Sequence, residues 1–401
     1  MIEFASSNTR AVNAERAVTE ALELAYGSVQ PTADLILINA CVGHDLVALS
    51  QPVMAACPGA RVLAASCAGV VGPQGPGESL HDIGLMGLRG EGFTVAQVDD
   101  LFGHTSFEKG RELAEQLAAA PEPVRMIYLL ASGIDIANDQ VIAGIESVLG
   151  PDVVIFGATS SDQMQGIATH QAIDGVLYQH AAFAVGFWDP TLRVDTQATH
   201  GFRAVGEPLV VTSAQRNRIA ELDGEPAWPA FLRRLELPAD ATEGDTIPIG
   251  ALAELLPDDL AQEYGNPHIL RVVTHHTEDG ALVYATEAQP QTELWLTVRD
   301  EELIFADMDR MMAAITARNP GQSPVAVFHA DCLARGRRLF DRVMKEELVH
   351  RMQQPLATDG SVPPWFGMYG FGEYARLGGR NEYHNYTTAL AALYRDDDPG
   401  S

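Results

Sequence analysis

The sequence predicts a two-domain α/β protein, with internally duplicated strand-helix-strand units in the N-terminal half and a mixed sheet with helices in the C-terminal half. Three observations lead there. Runs such as Leu35–Ile38 and Met126–Leu130 are apolar without alternation, as in strands buried on both faces. Each is followed by a polar loop, a helical stretch closed by proline, and a second apolar run. The same order then returns, Ala40 aligning with Ser132 and, with one residue of slip, Pro58 with Pro151.

Taken in order, Asn8 to Tyr26 places Ala11, Ala14, Val18, Ala21, Leu22 and Ala25 at helical spacing and stops at Gly27, which predicts an opening amphipathic helix. Leu35–Ile38 is the first buried strand, followed by a loop with Gly43 and His44 and a helix to Ala56. Arg61–Ala65 is the second, ending in the small-residue turn Ser66–Gly69. The second copy runs as strand (Met126–Leu130), loop (Ser132–Asp139), helix to Leu149, strand (Val153–Phe156) and turn (Ala158–Asp162). A strand pair is expected after each copy, Ile83–Val98 and Ala181–Thr196. A hairpin is expected at Ile269–Ala285 around Glu278-Asp279-Gly280, with a further strand at Glu293–Val298. Pro238–Gly250 reads as a surface excursion. A third strand and helix of the repeated type begins at Val325–Phe328 and continues through Leu348. Residues 1–212 and 213–395 are the expected domains, and 396–401 an acidic, disordered tail.

Length supports two domains, because 401 residues exceed the roughly 250–300 at which single cores stop growing. Hydrophobic residues at 46% and charged residues at 20% mark a self-folding globular chain. A formal net charge of -28 opposes phosphate backbones and anionic membranes, so neither nucleic acid nor membrane insertion is expected. Lys109 and Lys345 are the only lysines; nearly all positive charge is arginine. Met1 to Ala25 lacks the pattern of a signal peptide, and Cys41, Cys57, Cys67 and Cys332 form no CxxC pair, which predicts a cytoplasmic protein with reduced thiols. Walker, GxGxxG, HExxH and GxSxG motifs do not occur, and adjacent His275 and His276 would face opposite sides of a strand rather than share a metal.

Gly201-Phe-Arg-Ala-Val-Gly206, Val210-Val-Thr-Ser213 and Ile219-Ala-Glu-Leu-Asp-Gly224, then Phe328-His-Ala-Asp-Cys-Leu-Ala-Arg335, Gly370-Phe-Gly-Glu373 and His384-Asn385-Tyr-Thr387 together resemble the motifs of the FIST family in order and spacing. The resemblance spans most of the chain. It implies a bacterial signal-transduction sensor for a small molecule, with an amino acid or related metabolite as the ligand. It also implies, as an alternative, a haem-binding nitric-oxide sensor. No kinase, cyclase or chemoreceptor module is legible here, so a separate signalling partner is expected.

Candidate ligand-binding residues follow from where loops meet helix starts at the carboxyl ends of strands. Ser66 and Cys67 in the first copy, and Thr159, Ser160 and Asp162 in the second, present small side chains that would admit backbone N–H groups to an anion, or simply permit close packing. Arg335 suits a ligand carboxylate through a bidentate pair, or an internal ion pair with Glu373 or another acid. Arg337 and Arg338 read as solvated helix residues. Cys332 is either a nucleophile of a hydrolase or transferase, paired with a base such as His384, or a small buried hydrophobe. Glu373 would accept an ammonium group or cap a neighbouring backbone. His384 is the candidate haem ligand, and Asn385 the candidate N-cap of a final helical stretch.

Overall fold

A computed structural model describes residues 1–163, 165–336 and 342–396. The first unit contains β1 (Glu3–Arg10), α1 (Ala14–Tyr26), β2 (Leu35–Cys41), α2 (Leu46–Ala56), β3 (Arg61–Cys67), β4 (Val70–Gly72), β5 (Gly75–Gly77) and β6 (Asp82–Arg89). The second repeats it as β7 (Phe93–Val98), α3 (Ser106–Leu117), β8 (Met126–Ala131), α4 (Asn138–Leu149), β9 (Val154–Thr159), β10 (Gln171–Ile173), β11 (Val176–Tyr178) and β12 (Ala182–Phe187). A third unit opens with β13 (Leu192–Thr199) and is then interrupted by an insert. The insert comprises β14 (Phe202–Gln215), β15 (Arg218–Leu222), β16 (Glu225–Pro226), α5 (Ala227–Arg234), α6 (Glu243–Thr246), β17 (Gly250–Leu255), α7 (Asp258–Tyr264), β18 (His268–Arg271), β19 (Val273–His276), β20 (Leu282–Tyr284) and β21 (Glu293–Arg299). The third unit resumes with α8 (Glu301–Arg318), β22 (Ala326–Cys332), α9 (Arg342–Gln353), β23 (Trp365–Gly370), β24 (Glu373–Leu377), β25 (Arg380–His384) and β26 (Thr388–Arg395).

Each unit is built on one parallel pair in matching register, ending at Cys41/Cys67, Ala131/Thr159 and Cys332/Gly370. Antiparallel strands flank each pair on one side: β6 and β1, β12 and β7, β26 and β13. The other side is closed by exchange. The β4–β5 hairpin of unit one pairs with β23 of unit three, β10–β11 of unit two with β3 of unit one, and β24–β25 of unit three with β9 of unit two. Three six-stranded sheets are thereby locked into a ring in which each unit supplies an edge to another.

Strand periodicity explains why these runs are apolar throughout. Alternate residues face opposite sides, so Leu35 and Leu37 enter a core shared by all three sheets while Ile36 and Ile38 meet α1 and α2. In the second unit Tyr128 and Leu130 face inward, Ile127 and Leu129 toward α3 and α4. Gly110 and Gly144 set the approach of those two helices, since a Cβ on Gly144 would lie 2.1 Å from the Phe107 carbonyl oxygen. In the shared core Phe328 packs 4.5 Å from Tyr128, 5.9 Å from Phe187 and 6.4 Å from Phe366, ring to ring, so aromatic residues of units two and three meet there. The insert forms its own eight-stranded sheet over a separate core that includes Trp228, Phe231 and Leu252. No helix among the described residues is long and apolar enough to cross a membrane.

The α/β class and the repeated strand-helix-strand units stand as expected. Several details differ. Residues 3–10 are a strand paired with β6, so the opening helix starts at Ala14. The strands expected as pairs after each copy, β6 with β7 and β12 with β13, separate into different sheets, because the turn between them is the junction between units. The final stretch after Asn385 is β26, held between β22 and β13, rather than a helix, and Asn385 caps nothing there. The expected domain boundary at 212/213 falls inside β14. Arg337, Arg338 and tail residues 397–401 lie outside the described residues.

Phe328→Ala is expected to cost about 3–5 kcal/mol, the usual range for deleting a fully buried phenylalanine. Chemical denaturation measures it, and a loss below about 1 kcal/mol would contradict a single core shared by the units.

Candidate functional site

Exchange of hairpins brings the carboxyl ends of the three parallel pairs together. Ser161 N–H donates to the Ser66 carbonyl at 3.0 Å, Ala68 N–H to Tyr369 at 3.1 Å, Tyr369 N–H to Gly69 at 2.9 Å and Phe371 N–H to Thr159 at 3.3 Å. Ser66 Oγ donates to the Ser161 carbonyl and accepts from His170 N–H. Ser160 Oγ accepts from Gln171, and Thr159 Oγ1 lies 3.2 Å from the Tyr383 hydroxyl. Thr159 and Ser160 spend their own N–H groups on the Gly372 and Ala131 carbonyls. The small side chains at these corners therefore serve close contact between units, and the amides are already engaged. Asp162 turns the chain after β9, accepting from the N–H groups of Gln165, Gly166 and Ile167. Cys67 is enclosed beside Cys41, its partner in strand register.

Beneath these corners lies a layer of buried charge. Arg335, fully enclosed, pairs with Asp331 through Nε at 3.0 Å and donates from a terminal nitrogen to the His200 carbonyl at 2.5 Å. Asp331 is also fully buried. Burial would raise its carboxyl, but Arg335, with help from His329 and Lys345, outweighs that and holds it below the usual range. The internal ion pair open to Arg335 thus forms with Asp331 rather than Glu373. Lys345 donates to the Arg335 carbonyl and lies 3.9 Å over the Tyr369 ring.

Glu373 sits in the same layer and accepts from Thr387 N–H at 3.3 Å, while its other oxygen has no hydrogen-bond partner among the described residues. Burial, reinforced by Asp331, pushes its pKa well above the usual carboxylate range. The Cys332 thiol is raised by burial and then by Glu373, and its Sγ donates to the Phe371 carbonyl at 3.9 Å. This is the setting of a structural thiol, since a reactive one needs its thiolate stabilised. His384 is fully enclosed, with Nδ1 3.2 Å from the Tyr264 hydroxyl. It lines none of the three adjoining cavities described below, so a macrocycle has no space at its ring, and the residues present do not fit haem. Asn385 accepts from Val272 N–H at 3.1 Å and so ties the insert to the ring.

The open space lies one step outward. A cavity of about 340 Å³ is bounded by the β8–α4 loop (Gly133–Ile136), by β19 and β20 of the insert, and by Phe371 and Tyr383 from the ring. Its wall is mostly apolar, including Ile134, Ile136, Val273 and Val283, with Asp135, Asn217, Thr274 and His275 as polar members. Gly133 is required where the loop crosses the ring, because a Cβ there would lie 1.9 Å from the Ser160 carbonyl oxygen. Asp135, at φ +58°, also borders an adjoining cavity of about 410 Å³ that contains Arg216 and Glu287. His275 and His276 diverge as expected: His275 lines the cavity, and His276 stacks on Trp228 at 4.4 Å and meets Glu243. Among the described residues no cluster of His, Cys, Asp or Glu is arranged to hold a metal ion.

Sequence reasoning reached the corner residues but not Asp331, His200, Tyr264, Asp135 or Arg216. Asp331 and His200 lie in or beside the quoted motifs, and their acid and imidazole groups in apolar surroundings were the available signal. Asp135 lay in a loop already delimited, whereas Arg216 is brought to it only by the fold.

The chain carries both domains of a class known as small-ligand sensor domains in signal transduction. The chain is a member of the FIST family, matching the FIST N domain over residues 34–225 and the FIST C domain over residues 233–376. Uncharacterized proteins of Mycobacterium bovis and Mycobacterium tuberculosis are 27% identical to it over 220 residues, 53% of this chain and 53% of theirs. Another from Mycobacterium tuberculosis is 26% identical over 200 residues, 48% of this chain and 49% of its own. The chain thus spans about half the length of the curated relatives it matches. A solved cyanuric acid hydrolase aligns over 99% of this chain and 100% of its own at 10% identity, with a TM-score of 0.33, too slight a likeness to bear on fold or chemistry.

Burial lowers the pKa of both His200 and His384 from 6.5 to about 3. Between those values only the unfolded chain binds the protons, so the stability each neutral ring contributes is whole above pH 6.5 and is lost as the pH falls toward 3. The loss approaches about 1.4 kcal/mol per pH unit per histidine. His384→Gln is expected to show a shallower decline in Tm from pH 6 to pH 4.5 than the unmodified chain; equal slopes would contradict a neutral, enclosed His384.

Proposed function

We propose that this chain senses an amino acid or a closely related metabolite in the cleft between the β8–α4 loop and the insert, and passes the bound state to a separate signalling protein. The supporting observation is the 340 Å³ cavity, bounded by segments far apart in the chain and continuous with a rim that carries opposite charges. Asp135 offers a carboxylate to an ammonium group. Arg216, exposed in the β14–β15 turn at φ +55°, offers a planar fork to a carboxylate. The apolar interior between them takes a side chain, and the volume falls in the range usual for small-molecule sites.

In this reading the corner residues support the site from behind. Thr159 holds the Tyr383 hydroxyl, and Cys332 and Asn385 hold the Phe371 carbonyl, so the two aromatic walls are fixed by the buried layer. Ser66, Cys67, Ser160, Asp162, Arg335, Glu373 and His384 position that layer. A ligand that touches both the ring loop and the insert favours one relation between them by its difference in affinity for the two states, and a partner reads that relation.

Calorimetric titration of the full chain with each proteinogenic amino acid tests the proposal. At least one is expected to bind saturably, and Asp135→Asn or Arg216→Gln to weaken it at least tenfold, about 1.4 kcal/mol. Ala285→Trp, which fills the cavity, is expected to abolish binding. Absence of binding by every amino acid, or unchanged affinity in all three variants, contradicts it.

A further inference from the structure

A second cavity lies on the other side of Tyr383. It has a volume of about 270 Å³, is partly open to solvent, and is bordered by α4, β25 and the insert segment after β20. Asp139 and Glu146 come from one face of α4, seven residues apart, Glu382 from β25 and Glu287 from the insert. Among the described residues the single basic one lining it is Arg271, whose Nε pairs with Glu254 at 3.1 Å and whose terminal nitrogen donates to the Tyr383 carbonyl at 3.0 Å, while its charge also acts on Glu382. Four carboxylates, Glu287 exposed and Glu146 accepting from the Asn381 amide at 2.8 Å, thus border one partly open cleft with one engaged arginine.

Two further observations point to a missing donor. Thr286 lines this cavity and is only 6% exposed, and among the described residues its hydroxyl oxygen has no hydrogen-bond partner. Asp139 Oδ2 accepts weakly from Glu287 N–H at 3.3 Å, and its Oδ1, shielded from solvent, has no partner either. Buried oxygens left unpaired cost about 1–3 kcal/mol each, more when charged, so both favour an occupant rich in N–H groups. Burial raises the Glu382 carboxyl more than Arg271 lowers it, and smaller effects follow, Glu254 and Glu146 raising it and Arg380 lowering it.

The occupant is organic rather than metallic on geometric grounds. Among the described residues no three acidic, histidine or cysteine side chains gather closely enough to hold a metal ion. The oxygens are distributed around a cavity far larger than a bare ion, which suits several N–H donors spaced along a chain. We propose that this cavity binds a small aliphatic diamine or polyamine, one ammonium group reaching Asp139 and Glu287 and the other Glu146 and Glu382, with Thr286 accepting one further N–H. The site is separate from the cleft assigned to the amino acid and stands whether or not that assignment holds.

Calorimetric titration of the full chain with putrescine, at low ionic strength, tests this directly. Saturable one-to-one binding is expected, with none for 1,4-butanediol, which has the same carbon chain without charge. The double variant Glu146→Gln, Glu382→Gln is expected to weaken putrescine at least tenfold, and Glu3→Gln on β1 to leave it unchanged. Thr286→Val, a substitution of nearly equal size, serves as the milder second variant and is expected to weaken binding several-fold with the same Tm as the unmodified chain. Binding undiminished in both the double variant and Thr286→Val would overturn the assignment. So would an equal response to magnesium chloride or to sodium chloride at matched ionic strength, since a metal or simple screening would then suffice.

Discussion

The rest of the structure depends on the exchange of hairpins among three units. A parallel strand pair leaves one strand with an unpaired edge, and such an edge is costly to leave open. Here β3, β9 and β23 each obtain an edge partner from a hairpin of a different unit, so no unit completes its sheet alone. The same exchange carries Gly370–Gly372 onto β9 and Ser161 onto Ser66, which is why corners distant in sequence meet in one layer. Position in the ring, rather than any local motif, assembles the polar centre.

That centre is expensive and consistent with a coupling role. Removing one member of a buried ion pair such as Asp331–Arg335 typically costs 3–5 kcal/mol, because the other charge is left uncompensated. Its partners are placed where the insert joins the ring. Arg335 holds the His200 carbonyl at the entry to β14, Arg271 holds Tyr383, and Asn385 holds Val272. Polar groups that could have been replaced by apolar packing instead fix the angle at which the insert stands over the β8–α4 loop.

Much of the fold was legible because strand-helix-strand units carry strong local signals. Fully apolar runs mark Leu35–Ile38 and Met126–Leu130, and prolines and glycines mark the stops. Residues 3–10 escaped, since their alternation is weak and their partner β6 lies some seventy positions away. The run after Asn385, Thr388–Leu393, is alanine- and leucine-rich and has helical propensity, but placement between β22 and β13 overrides it. The corner residues were legible as turns with small side chains. Arg216 and Asp135 were not, because each is ordinary in its own segment and only the insert's path sets them on one rim.

In the proposed function a ligand engages the β8–α4 loop and the insert at once. Amide hydrogen exchange, followed by mass spectrometry with and without the tightest-binding amino acid, tests it most directly. Peptides covering residues 133–137 and 272–285 are expected to slow together, with the shared aromatic core unchanged. Slowing confined to one of those segments, or centred on the Ser66–Gly69 corner instead, would contradict it.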